Sequence, residues 1–126
     1  MRAPAGVVTL GWVQRAAEGD FSVRVRQVAG ATVVTVVGEV DLDTAPELEF
    51  RLIGAADCPA PLVIDLSAVT FFASAGLACL LLAHGQGSQP HLVPSPAVAK
   101  VLTISDLDDF LPRSESLQDA LERVAG

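Results

Sequence analysis

From Phe21 onward the chain falls into short apolar runs punctuated by turn-forming residues. "FSVRVRQV" alternates strictly, placing Val23 and Val25 on one face and Arg24 and Arg26 on the other. That period of two predicts a strand with one wet face, near a sheet edge. "ATVVTVVG" is instead almost continuously apolar and β-branched, the composition of a strand covered on both faces. Gly30 between the two runs favours a turn, so an antiparallel pair is expected.

The period then changes. In "DTAPELEFRLIGAA", Thr44 with Glu47 three residues on reads as a capping box, and Pro46 fits a first helical turn. Leu48, Leu52 and Ile53 supply the apolar stripe. "CPAPLVIDLS" breaks at two prolines and predicts a short buried strand over Leu62–Leu66. "FFASAGLACLLLA" follows, with Ser74 as expected cap, helix from about Ala75 to His84 and Gly85 as its stop. After a short strand "HLV", Ser95 caps a helix with Pro96 in first position and Val98, Val101 and Leu102 inside. Ser116, with Asp119 at the third position, caps a last helix whose inner face is Leu117, Ala120, Leu121 and Val124.

Strands alternating with helices predict an α/β domain with a mostly parallel sheet, antiparallel only at its first strand. The expectation is about five strands and about four helices over residues 21–126, preceded by a tail or accessory strand over residues 1–20. Gly6–Val13, the apolar piece of that segment, is too short and too broken by Thr9 and glycine for a secretory signal.

Composition narrows the partners. With 51% hydrophobic residues the chain can build a core, and its net charge of −7 disfavours nucleic acid and anionic membranes. Proteins or small molecules are the expected partners, in the cytoplasm. Cys58 and Cys79 are too few for a disulfide framework, and with His84 and His91 they form no metal-ligand spacing; no cofactor is expected.

Function in such a sheet gathers beyond the carboxyl ends of the strands. Two turns arrive there, "GEVDLDTAP" and "VTFFASAGL". On spacing alone Ser74 is one helix cap among three, in the same grammar as Ser95 and Ser116. The separated blocks "VVGEVDLDTAPEL", "PLVIDLSAVTFFASAGLACLL" and "HLVPSPAVAKVLTISDLDDFLPRSESLQDAL" add more, because together they resemble the STAS domain of bacterial anti-sigma factor antagonists from roughly Phe21 to Ala125. The family's signature at the third-strand turn, Asp-Ser-(Ser/Thr)-Gly-Leu, reads here Ala73-Ser74-Ala75-Gly76-Leu77. The resemblance implies that Ser74 is a phosphoacceptor, that Asp41 lies beside it, and that Asp41, Asp43, Ala73, Ser74, Ala75, Gly76 and Leu77 form the partner interface. It also implies partner switching: the unmodified protein binds an anti-sigma factor, in this family often itself a serine kinase, and frees a sigma factor. Ala73 and Ala75 depart from the signature. Loss of the aspartate removes a like charge beside any phosphate, and also a contact a kinase could use to place the hydroxyl.

Three other readings carry different expectations. "LVIDLS" also resembles the strand end at which a receiver domain is phosphorylated on aspartate, here Asp65. The acidic pair such a site needs is missing, and the single lysine, Lys100, falls in a helix. A thiol-responsive regulator would use Cys58 and Cys79, but Cys79 sits among leucines and alanines, where an inert packed thiol is expected. STAS domains also serve as interaction subunits of transport or signalling assemblies. The receiver-like reading is the one with enzyme chemistry, and no nucleophile–base pair with a third member is visible for hydrolysis, so no enzymatic activity is expected.

Overall fold

The computed structural model describes residues 21–85 and 89–125. Four strands, β1 (Ser22–Val28), β2 (Ala31–Val40), β3 (Leu62–Phe72) and β4 (His91–Pro94), form one sheet in the order β1-β2-β3-β4. β1 is antiparallel to β2, and the remaining pairs are parallel. Helices α1 (Ala45–Ala56) and α2 (Ser74–Gly85) make the two crossovers; α3 (Pro96–Ile104) and α4 (Leu117–Ala125) follow β4. The mixed sheet and the four helices of the described residues are those expected from the alternation, with four strands there against the expected five or so. The expected accessory strand within residues 1–20 lies outside the described residues.

The β1–β2 hairpin turns on Ala29 and Gly30, with φ of 51° and 83°, and pairs Val28 directly with Ala31. Positive φ at both central residues is the geometry whose twist matches flanking strands. β2 is buried on both faces, as its composition requires. Val34, Val36 and Val40 join Ile64, Leu66, Val69, Phe72 and Leu92 in the main core beneath α1, α2 and α3. Ala31 and Val33, with Val63 and Val93, point the other way and are covered by Ala120 of α4. β4 is short, but Pro112–Ser114 runs along it: the Leu92 N–H donates to the Pro112 carbonyl (2.8 Å), and the Ser114 N–H donates to the Leu92 carbonyl (2.9 Å). His91 is buried beside this segment, 2.7 Å from the Ser114 hydroxyl, and burial, then Arg123, lowers its pKa.

Two expectations about chain geometry are corrected. β3 does not stop at Leu66 but runs to Phe72, with register shifts against β2 between Thr35 and Val37 and between Gly38 and Glu39. Such irregularities bend a strand and re-aim its end, and Gly38 accommodates one of them at φ 104°, which favours glycine. The capping box also does not form. Thr44 occupies the cap position of α1, but its hydroxyl accepts from the Asp41 N–H (2.9 Å) and donates to the Glu39 carbonyl (3.0 Å). Glu47 turns instead toward Arg51, 3.8 Å away. Ser95 and Ser116 do cap, accepting from the Val98 and Asp119 amides at 3.2 and 3.1 Å.

Candidate functional site

The carboxyl ends of β2 and β3 lie side by side. Glu39 pairs with Phe71 and Val40 with Phe72, and one further bond, from the Ala73 N–H to the Val40 carbonyl (2.9 Å), joins the two turns beyond the sheet. Asp41 and Ser74 each follow a residue of that bond, so the structure brings the two turns together. Asp41 is half-buried and committed to its own turn: Oδ1 accepts from the Asp43 N–H (2.9 Å) and the Thr44 N–H (3.1 Å), and its carbonyl accepts from the Ala45 N–H (2.9 Å). Asp43 is exposed at the tip.

Ser74 is exposed, but it is not the cap of α2. The Ala73 carbonyl accepts the first helical bonds, from Gly76 (2.9 Å) and Leu77 (3.4 Å), so the cap position belongs to Ala73 and Ser74 is the first helical residue. The reason is the Ala73–Val40 bond, which ties residue 73 to the sheet and leaves the helix to begin after it. A methyl side chain cannot accept from the first-turn amides, so α2 starts without a side-chain cap. An aspartate at 73 would supply one. Ala73→Asp is therefore expected to raise stability by about 1 kcal/mol, read as a higher urea midpoint with an unchanged slope; a lower midpoint would show that residue 73 cannot adopt the capping conformation.

The remaining residues of the signature divide by burial. Ala75 is half-buried, and Leu77 is half-buried against the main core. Gly76 is buried under the strand ends: a Cβ there would stand 2.6 Å from Phe72 Cε1 and 2.8 Å from Val40 Cγ1. It lets α2 approach the sheet closely and so sets where Ser74 emerges. Leu42 and Phe71, 81% and 51% exposed, also lie at this end of the sheet, although neither belongs to the family signature. Their signal was an apolar residue between two carboxylates and a second phenylalanine where β3 alternation leaves one face wet.

Cys79 is buried and its thiol hydrogen-bonds weakly to the Ala45 carbonyl (3.5 Å). Burial, helped by the charge of Glu49, pushes its pKa up to about 11. At neutral pH it stays protonated and a poor nucleophile. In the native protein a neutral disulfide reagent is therefore expected to modify the exposed Cys58 promptly and Cys79 only on unfolding; prompt reaction of both, followed by absorbance, would count against the packed-thiol reading. Asp65 of β3 is likewise occupied: Oδ1 accepts from the Ser67 N–H (3.0 Å) and hydroxyl (2.7 Å). No group of three or more metal-ligating side chains comes together among the described residues, and none of their helices is long and apolar enough to cross a membrane.

Sheet order, crossovers and the paired turns around Ser74 define a STAS fold, and the chain matches the MlaB/STAS domain family over residues 23–118. It belongs to that family. Among its relatives is the anti-sigma-F factor antagonist RsfB of Mycobacterium tuberculosis, 37% identical over 87% of this chain and 94% of the relative. The fold is similar to the crystal structure of an anti-sigma factor antagonist from Mycobacterium paratuberculosis, with a TM-score of 0.77 and 34% identity over 84% of this chain and 95% of that one. It also resembles SpoIIAA in its unphosphorylated form (TM-score 0.67), where 20% identity over 84% of this chain and 96% of that one shows the fold alone.

Proposed function

We propose that this protein is an anti-sigma factor antagonist that binds an anti-sigma factor, releases the sigma factor it held, and is switched off by phosphorylation of Ser74. The observation that carries the reading is an exposed serine at the start of a helix, at the joined ends of β2 and β3, in a chain 37% identical to a relative named for that role. The protein acts by occupying a surface, without chemistry of its own, in the cytoplasm. Its partner is a serine kinase as well as a sigma-factor inhibitor. Asp41, Asp43, Ala73, Ser74 and Ala75 form the contact, while Gly76 and Leu77 hold it in place from below.

The physics of the switch is local. A phosphate on Ser74 adds about −1.5 to −2 charges and three acceptor oxygens at the first turn of α2, whose leading amides favour negative charge. Inside the domain the group is accommodated. At an interface it must lose its water next to the acidic Asp41–Asp43 turn, which the Ala73–Val40 bond joins to its own, and a loss of ~3 kcal/mol there weakens binding about a hundredfold. The test is a release assay: purified full-length protein is added to a complex of an anti-sigma factor and its sigma factor from the same genome, before and after treatment with the kinase. Release by the unmodified form and none by the phosphorylated form is expected. No release by either would remove the reading.

A further inference from the structure

α2 is apolar nearly throughout, and its neighbours decide which side is spare. Gly76, Cys79, Leu80 and Ala83 are buried. Ser74, Ala78, Leu81, Leu82 and Gly85 are exposed, at helical spacings that make one continuous stripe with Ser74 at its head. Leu81 and Leu82 are 40% and 43% exposed. α1 packs alongside on the same side of the sheet, and its Phe50, on the side of α1 away from the buried Leu48, Leu52 and Ala55, is 75% exposed. Isolated exposed leucines need no explanation, but a contiguous apolar stripe does.

The flank of this surface is acidic. Between positions 39 and 57 the chain carries six carboxylates and one arginine, Arg51, which is drawn to Glu47. Glu49 lies close enough to α2 to act on Cys79. A second copy of this chain would bring two acidic rims together, and an anionic lipid surface would be repelled in the same way. The charge fits a protein surface with an apolar ridge bordered by lysine or arginine.

We infer that the anti-sigma factor docks along the exposed stripe of α2 and onto Phe50 of α1, with its basic residues meeting the carboxylates of α1. This rests on the function proposed above and extends it from the Ser74 turn to a surface running the length of α2. It explains how one modified hydroxyl could control a much larger contact: Ser74 stands at the end of the stripe.

The experiment measures affinity for the anti-sigma factor of the release assay, with melting temperature as a folding control. The double substitution Leu81→Gln/Leu82→Gln is expected to weaken binding at least tenfold. Phe50→Gln, at a position too exposed to disturb folding, should weaken it at least threefold. Ile104→Gln changes another residue, 73% exposed on α3 outside the stripe, and should stay within twofold. Glu49→Lys should weaken binding and flatten its dependence on salt. Native affinity in both the leucine and Phe50 variants would overturn the inference while leaving the proposed function intact, as would equal losses in the Ile104 variant. Tighter binding by Glu49→Lys would overturn the basic partner. If the wild-type protein binds no anti-sigma factor, the function itself falls, and the occupant assigned to this surface falls with it.

Discussion

Ser74→Asp is expected to bind the anti-sigma factor at least tenfold more weakly than Ser74→Asn, while melting at or above the wild-type temperature. The two side chains are nearly isosteric and differ in charge. As the first residue of α2, Ser74 sits where a carboxylate interacts favourably with the helix end, by ~0.3–1 kcal/mol. The same charge must be stripped of water when a partner covers the turn, and a cost of only ~1.4 kcal/mol already gives a tenfold loss. Stability and affinity therefore move in opposite directions, which separates a switch from damage. The structure adds a cleaner control. Because Ala73 holds the cap position, Ser74→Ala removes no capping bond and is expected to keep both native stability and binding. Affinity by calorimetry and melting by circular dichroism decide the matter. Equal affinities for the aspartate and asparagine variants would mean that charge at position 74 does not regulate binding.

The second large effect lies one turn below the surface. Gly76→Ala is expected to destabilise the domain by about 1–3 kcal/mol, the usual range for overpacking a filled core. Two terms compete. Alanine in a helix ordinarily gains roughly 0.5–1 kcal/mol over glycine. Here the added methyl would stand under 3 Å from both Phe72 and Val40, so ring and strand must move apart. The steric term wins because Phe72 and Val40 are both buried in the main core, where their side chains have little room to turn aside. For a domain near this size each kcal/mol shifts the melting point by about 4–8 °C. The displaced α2 should also misplace Ser74, so partner binding falls even where the protein stays folded. An unchanged or raised melting temperature would show that α2 has room to slide outward.

Much of this could be read before any fold was known, and the reasons are local. The alternation of β1, the continuous β-branched run of β2 and the Ser95 and Ser116 caps each depend on a few neighbouring residues, so the pattern carries its meaning with it. The paired turns around Ser74 were legible through spaced blocks that resemble a known family.

What tertiary structure decided were matters of relative position. Serine is a capping residue and alanine is not, so side-chain chemistry pointed to Ser74 as the cap of α2. The hydrogen bond from Ala73 to Val40, between segments 33 residues apart in sequence, overrode it. The Thr44 box failed for a related reason: the Thr44 hydroxyl found better partners in the backbone of Glu39 and Asp41, held close by the end of β2. The exposed stripe of α2 could not be read at all. A helix apolar on every side has no phase, and only the packing of α1, α3 and the sheet around it determines which leucines are buried and which are left for a partner.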